Sequence, residues 1–461
     1  MTLLNIEVAR VTPASDSDSV LNSLTIDSDS VLNSLTIPLT FFDLPWLLFS
    51  PVKRVFFYKL AESTPEHFHS FILPKLKLSL SLVLRNYLPL TGRITWDPNE
   101  PKPCIVVSPN DAVLVTIAET DSVFSLLSGY GQCPVSELHS LLPKLPVTDD
   151  SATAFSLQIT LFPNHGFSIG VAAHHGVLDG KSSTMFVKAW GHICKEQLQS
   201  LPENLTPSYD RSLIKDMTGL DEQMTEMVRS LKGDKTSKSL TLLLDREIGN
   251  DVVLATLVLS RDDIERLKER VKSKSPSLDH LSTFVITYAY AWSCLVKARG
   301  GSKERSVSFV FVGDFRERLD PPLPATYFGN CMFPVGCYGR KAVEFAEEKG
   351  FVNAVEIISD LVKGLSSRKV ETIAKEFGDS FGAFAETSQF GAVAGSTRFG
   401  VYESDFGWGR PVKVDAVSID QAEAISMAER RDESAGVEIG MCLKKTEMDI
   451  VMSLFNIGLQ I

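Results

Sequence analysis

The chain of 461 residues exceeds what one hydrophobic core usually serves, so two domains are expected, and its composition, 44% hydrophobic and 22% charged, is that of a globular protein. A net charge of -11 argues against a nucleic-acid or anionic-membrane surface, and an anionic small ligand would need a local basic pocket. The first residues, MTLLNIEVARVTP, lack a basic segment followed by an apolar one, and no apolar run approaches the ~18 residues that suggest a membrane span. The seven cysteines are scattered and never in CxxC spacing, which favours reduced thiols in a cytosolic protein over disulfides or zinc. No metal-ligand spacing is present, and the glycosylation match at Asn204-Leu-Thr206 has no consequence in a protein that is not secreted.

In chain order, the first feature is a tandem duplication. DSDSVLNSLTI occupies Asp16–Ile26 and again Asp27–Ile37, and its polar composition predicts a surface loop whose second copy is in register with the fold. Ser63-Thr-Pro-Glu66 has the pattern of a helix start. The LPKLKLSLSLVLRNY segment that follows fits both an alternating strand and a helical stripe, and its capped start and length favour helix. PLTGRI (Pro89–Ile94) then turns the chain into a strand. Ala154–Phe162 and Phe167–Val177, separated by Pro163-Asn-His-Gly166, read as a hairpin, and SSTMFVKAWGHICKEQL beyond Gly180 as a half-buried helix.

Residues 201–250 turn polar around DEQMTEMVRSLKGDKTSK and predict a crossover linker between an N-terminal domain (1–200) and a C-terminal one (251–461). Beyond it, helices are expected after Ser260 and Ser282 and over Ala342–Leu365, with a closing helix begun by Thr446-Glu-Met-Asp449. Strands are expected at SVSFVFVG (Ser306–Gly313), GVYESDF, VKVDAVSI, AISMAERRD and VEIGMCLKK. Strands and helices interleave in both halves, which places the chain in the α/β class with two domains of similar size.

Three stretches carry candidate chemistry. VAAHHGVLDG (Val171–Gly180) puts adjacent histidines at the end of a core strand, with Asp179 four residues after His175. Two imidazoles on opposite faces of a strand cannot both enter one apolar core, although a buried histidine and a helix-capping aspartate would give the same spacing. Four extended residues span roughly 13 Å, and GxSxG is absent, so the spacing favours a histidine acting directly on substrate, with the aspartate holding the loop. DFGWG (Asp405–Gly409) is a glycine-punctuated turn that allows close backbone approach, or a tight turn around a core tryptophan. FVGDFRERLDPPLPATYFGNC (Phe311–Cys331) runs from a strand into charges, a proline bend and YFGN, and on its own reads as a solvated loop.

Together these stretches resemble the plant BAHD family of coenzyme A-dependent acyltransferases, whose HxxxD and DFGWG signatures HHGVLDG and DFGWG match. PLTFFD, PLTGRI, PSYDRS, RERLDPPLP and YFGNC follow in the family's order, so the resemblance spans essentially the whole chain. YFGNC, DGKSS and DFGWGRPVK are most similar to the branch that malonylates flavonoid and phenolic glucosides. Gly176 and Thr91 replace common alanines, and the duplication has no counterpart in the family's pattern.

The resemblance implies a chloramphenicol-acetyltransferase-like fold, with mixed sheets flanked by helices and an active-site channel between the domains. It implies direct attack in a ternary complex, with His175 as general base and Trp408 as donor to the oxyanion. Asp179, Asp405, Arg316, Gly407 and Gly409 would be structural, Asp179 pairing with Arg316. Lys181, Ser182, Ser183, Asn330, Ser396 and Thr397 would bind donor or acceptor, with Lys181 on the donor carboxylate, on a coenzyme phosphate, or in solvent. The co-substrates would be malonyl-CoA and a glucosylated phenol, with no resident cofactor or metal, no nucleic-acid or membrane partner, and a cytoplasmic monomer as the working form. An aromatic acyl donor is the alternative, and a catalytically silent ligand-binding relative a second one.

Overall fold

The Phe155–Phe162 and Gly166–Ala173 strands pair antiparallel around the expected turn, Gly166 opposite Phe162 and Ala173 opposite Phe155. Every residue of both is buried, so both faces of the hairpin must be covered. The neighbouring Val52–Lys59 strand shows how. Phe56 and Tyr58 enter a core shared with the helices, whereas Val55 and Phe57 enter a second core with Phe124, Leu254 and Cys442. Alternation across the pleat supplies both cores from one strand.

The computed structural model describes residues 2–15, 34–97, 99–233, 238–241, 248–279, 281–385, 387–421, 424–432 and 435–460, the side chains of 381–385 and 421 excepted. Its six-stranded sheet runs in the order Leu3–Val11, Val113–Thr120, Phe155–Phe162, Gly166–Ala173, Val52–Lys59 and Lys413–Ala416. Its seven-stranded sheet runs Met332–Lys341, Ser306–Asp314, Gln389–Gly395, Ala424–Glu429, Val437–Lys444, Val252–Leu259 and Cys133–Pro134. Both mix parallel and antiparallel pairs, and a separate four-stranded sheet completes the set. Each large sheet therefore ends in a strand from the other half of the chain.

Thr64 caps the first long helical segment by accepting from the His67 N–H, and Leu73–Leu84 is helical, as the capped start predicts. The Gly180–Glu196 helix packs on it, burying Phe186, Trp190 and Ile193, each worth about 1.5–3 kcal/mol. Ser260 and Ser282 cap the helices Arg261–Lys274 and Thr283–Arg299.

Four expectations change. The 201–250 segment is not a solvated linker throughout, because Leu220–Leu231 is a helix that buries Leu220, Met224 and Val228. Those residues recur every four positions inside a polar sequence, enough for one apolar stripe, which packs on the Leu44–Leu48 turn. GVYES is a 3-10 turn over Val401–Glu403, because Gly400 at φ 66° breaks the extended run. Ala342–Leu365 divides into Val343–Ala346 and Gly350–Gly364, and the closing helix starts at Lys445, leaving Thr446 inside its first turn. The first repeat copy and Asp27–Asn33 of the second lie outside the described residues, while the end of the second copy enters the Leu35–Pro38 strand. No helix among the described residues is long and apolar enough to cross a membrane.

Candidate active site

The strand that carries the histidines ends at Ala173, and the chain turns before the helix that begins at Gly180. The turn separates the two imidazoles. His174 is fully buried; its Nδ1 accepts the Gly176 N–H at 3.1 Å, and its backbone N–H donates to Ala154. It is a structural part of the turn. His175 faces a channel of about 1710 Å³ lined by both halves of the chain, among them Trp46, Arg54, Lys181, Phe284 and Phe399. That volume exceeds the roughly 300–1,000 Å³ of an ordinary single-ligand pocket and suits two substrates at once.

Trp46 stacks on the His175 ring, with centroids 4.3 Å apart and planes 15° from parallel. Nδ1 of His175 is buried with only the residue's own carbonyl as local acceptor, so Nε2 is the nitrogen left for the channel. The His175 carbonyl accepts from Asn330 Nδ2 at 2.9 Å. Asn330 is in turn fixed by Asp43 Oδ1, which accepts its backbone N–H at 3.0 Å and its Nδ2 at 3.1 Å.

Asp179 uses both carboxylate oxygens away from the histidine ring. Oδ1 accepts the Ser182 N–H at 2.8 Å, capping the helix, and Oδ2 pairs with Arg316 at 2.7 Å, both side chains almost fully buried. Arg316 also reaches Gly329 and Asp314, joining the loop before the helix to the YFGNC segment. Both carboxylate oxygens are thus committed to clamping the loop.

Burial lowers the His175 pKa from 6.5 to about 4, only partly offset by its own carbonyl, the Asp179 charge and Asn330. The ring is therefore neutral at physiological pH, as a proton acceptor must be. Turnover through it should persist well below pH 6.5 and fail only as pH drops toward about 4, which a kcat/KM profile on a stable donor would show. Burial likewise lowers His174 from 6.5 to about 3. Stability should therefore decline as pH falls below 6.5, because the unfolded rings take protons the folded ones refuse, at about 1.4 kcal/mol per pH unit for each ring.

The other expected site residues divide sharply. Lys181, Ser396 and Thr397 line the channel. Ser182 and Ser183 do not: Ser182 Oγ donates to the Gly329 carbonyl at 3.1 Å and accepts its own partner's N–H at 3.2 Å, and both serines are buried at the helix start. Asn330 positions the His175 loop as described. Ser182 and Asn330 are corrected from substrate contacts to positioning residues, and Ser183 to a buried residue of the first helical turn.

The larger correction is DFGWG. Asp405 Oδ1 accepts the N–H groups of Gly407 and Gly409 at 2.8 and 3.0 Å, an arrangement that both glycines reach at φ 101°, and Oδ2 pairs with Lys195 at 3.0 Å. Burial opposes the charge, but those donors prevail and hold the Asp405 carboxyl below its usual value. Trp408 packs edge-on against Phe167, centroids 6.1 Å apart, with the Lys75 ammonium 5.0 Å over its ring. Phe167 stands at the opposite end of its strand from Ala173, which precedes the histidines, roughly 20 Å away at strand rise. Lys195 is likewise at the far end of the helix that starts beside Asp179. Trp408 therefore cannot donate to an oxyanion at His175, and Asp405, Gly407 and Gly409 are structural at a distance from it. Trp408→Phe should leave kcat within about threefold, whereas Asp405→Ala should lower the melting temperature. A hundredfold loss of kcat in a stable Trp408→Phe protein would restore the catalytic role.

Sequence reasoning assigned no role to Trp46, Asp43 or Arg54. PLTFFD, which ends at Asp43, entered only as part of the resemblance, and nothing in one sequence indicates that Leu44–Leu48 folds over the histidine or that a strand arginine reaches the channel.

The fold and site define a two-domain acyl-transfer enzyme with a histidine-centred channel. Comparison with known proteins agrees. The profile of the Transferase family matches residues 19–456. The chain is 73% identical over its full length, and over the full length of the relative, to phenolic glucoside malonyltransferase 2 of Arabidopsis thaliana. It is 45% identical to agmatine coumaroyltransferase of the same plant, covering 99% of both chains. Among solved structures, vinorine synthase superposes with a TM-score of 0.70 at 19% identity over 98% of each chain, which shows the shared fold. The chain belongs to the Transferase family of BAHD acyltransferases.

Proposed function

We propose that the protein transfers a malonyl group from malonyl-CoA to a sugar hydroxyl of a phenolic glucoside. The observation that carries the reading is a neutral, channel-facing His175 held by Trp46, Asn330 and the Asp179–Arg316 clamp, in a chain 73% identical to a phenolic glucoside malonyltransferase. The acceptor oxygen bonds to the thioester carbonyl carbon while its proton passes to His175 Nε2. Collapse of the tetrahedral intermediate breaks the carbon–sulfur bond, and the coenzyme thiolate recovers the proton from the ring. Burial pushes the neighbouring Cys331 thiol up, so it is a poor nucleophile, which supports direct transfer over a thioester on the protein.

Lys181 stands in the first turn of the helix and lines the channel in a half-exposed position suited to the coenzyme's phosphates. Ser396 and Thr397 belong to the substrate-facing wall opposite. A coumaroyl-transferring relative at 45% identity keeps an aromatic donor as the competing reading. Incubating the purified protein with malonyl-, acetyl- and coumaroyl-CoA and a panel of phenolic glucosides decides between them. Thiol release with malonyl-CoA and a product heavier by one malonyl group is expected; coumaroyl transfer alone would overturn the reading.

A further inference from the structure

Among the described residues, three lysines or arginines are buried: Arg54, Arg316 and Lys413. Arg316 pairs with Asp179 at 2.7 Å and Lys413 with Asp415 at 3.2 Å. Arg54 differs. Its guanidinium donates to Thr184 Oγ1 at 2.6 Å and, at the 3.5 Å limit, to the Gly180 carbonyl, both neutral groups. Among the described residues no carboxylate lies within ion-pair distance of it. Burial lowers its pKa to about 10, with the Glu429 and Asp179 charges acting in the opposite direction, so the group keeps its charge at neutral pH.

A cation that is desolvated without a counter-ion is unfavourable by itself, and it persists where a ligand supplies the missing charge. The position of Arg54 says which ligand. It lies within the six-stranded sheet, opposite Val171 on one side and Ala416 on the other, on the pleat face of Phe56 and Tyr58. That face aims it under the first turn of the Gly180–Glu196 helix, immediately after the clamp residue Asp179. Its guanidinium carbon is 5.9 Å from the Phe399 ring centre, across the channel wall that both residues line. The helix N-terminus adds a second source of positive potential.

We infer that Arg54 is the residue that reads the free carboxylate of the donor acyl group. The inference rests on the malonyl-transfer reading and deepens it. In malonyl-CoA that carboxylate is one methylene from the carbonyl attacked beside His175, whereas the phosphates are a pantetheine arm away. A buried planar fork next to the His175–Gly180 loop matches the first, and the half-exposed Lys181 matches the second. An acetyl or aromatic acyl group would leave Arg54 with only the Glu429 and Asp179 charges, neither at ion-pair distance, which disfavours those donors without any steric exclusion.

The test is the ratio of kcat/KM for malonyl-CoA over acetyl-CoA in wild type, Arg54→Met, Arg54→Lys and Thr184→Val, with melting temperatures alongside. Wild type should prefer malonyl-CoA, and Arg54→Met should lower that ratio by about 100-fold, the loss of a bidentate charge-assisted contact. Arg54→Lys, which keeps the charge but not the fork, should lower it by about tenfold, and Thr184→Val, which frees the guanidinium, should lower it as well. Should Arg54→Met fail to fold, the lysine and Thr184 variants still read the ratio. A wild-type enzyme without malonyl preference would refute the malonyl reading itself. Preference in wild type with equal losses on both donors in the Arg54 variants would overturn only the role of Arg54, placing it in the scaffold or on the coenzyme.

Discussion

His175→Ala should lower kcat by about 10²–10⁴ while KM for the thioester changes little, the signature of a lost general base. The geometry makes the expectation specific to one ring of the adjacent pair. His175 lines the channel with Nδ1 buried and its ring stacked on Trp46, so alanine removes the proposed proton acceptor and leaves a space that water can enter. His174 is fully buried with Nδ1 committed to the Gly176 N–H, and His174→Ala should act on the turn, lowering the melting temperature first and activity only through it. Activity of the stable fraction separates the two effects. A dead His174→Ala with normal melting, beside an active His175→Ala, would reverse the assignment.

The second large effect is on stability. Removing the Asp179 carboxylate leaves Arg316, which is 2% exposed, without its closest partner and removes the cap from a seventeen-residue helix. Breaking one side of such a buried pair costs about 3–5 kcal/mol, and a lost cap adds about 1 kcal/mol. Asp179→Ala should therefore lose activity together with a large drop in melting temperature. Asp179→Asn separates the contributions, since its amide oxygen can still accept the Ser182 N–H while the charge is gone; it should recover the cap and little else. The Asp179→Leu, Arg316→Met double variant should melt higher than either single one, because no charge is then stranded. An Asp179→Ala protein with native melting and no turnover would instead mean that the carboxylate acts on the reaction directly.

Local pattern was enough for the elements whose signals are strong and short-range. The Pro163–Gly166 hairpin, the capped helices after Ser260 and Ser282, and the α/β class follow from turn residues, caps and periodicity, all within a few residues of where they act. The His175–Asp179 pair was legible for the same reason: a strand end, a glycine and a helix start are adjacent in sequence, so their roles are nearly set by local geometry. Arg316 was within reach only through the family resemblance, since 137 positions separate it from Asp179.

Tertiary structure decided the rest. DFGWG reads as chemistry because glycines and a tryptophan cluster there, yet only the packing of its loop on the far end of the Gly180–Glu196 helix shows that Trp408 and His175 are a whole strand apart. YFGNC reads as a solvated loop by composition, but Asp43 and Ser182, both distant in sequence, pull Asn330 and Gly329 into the core. Trp46, Arg54 and the 220–231 helix acquire meaning only when the channel exists. Sequence by itself determined which residues could do acyl-transfer chemistry, because reactivity is a property of side-chain type and near neighbours. Which of them meet the substrate was left to the fold, because distance in space depends on long-range pairing and burial that no local pattern encodes.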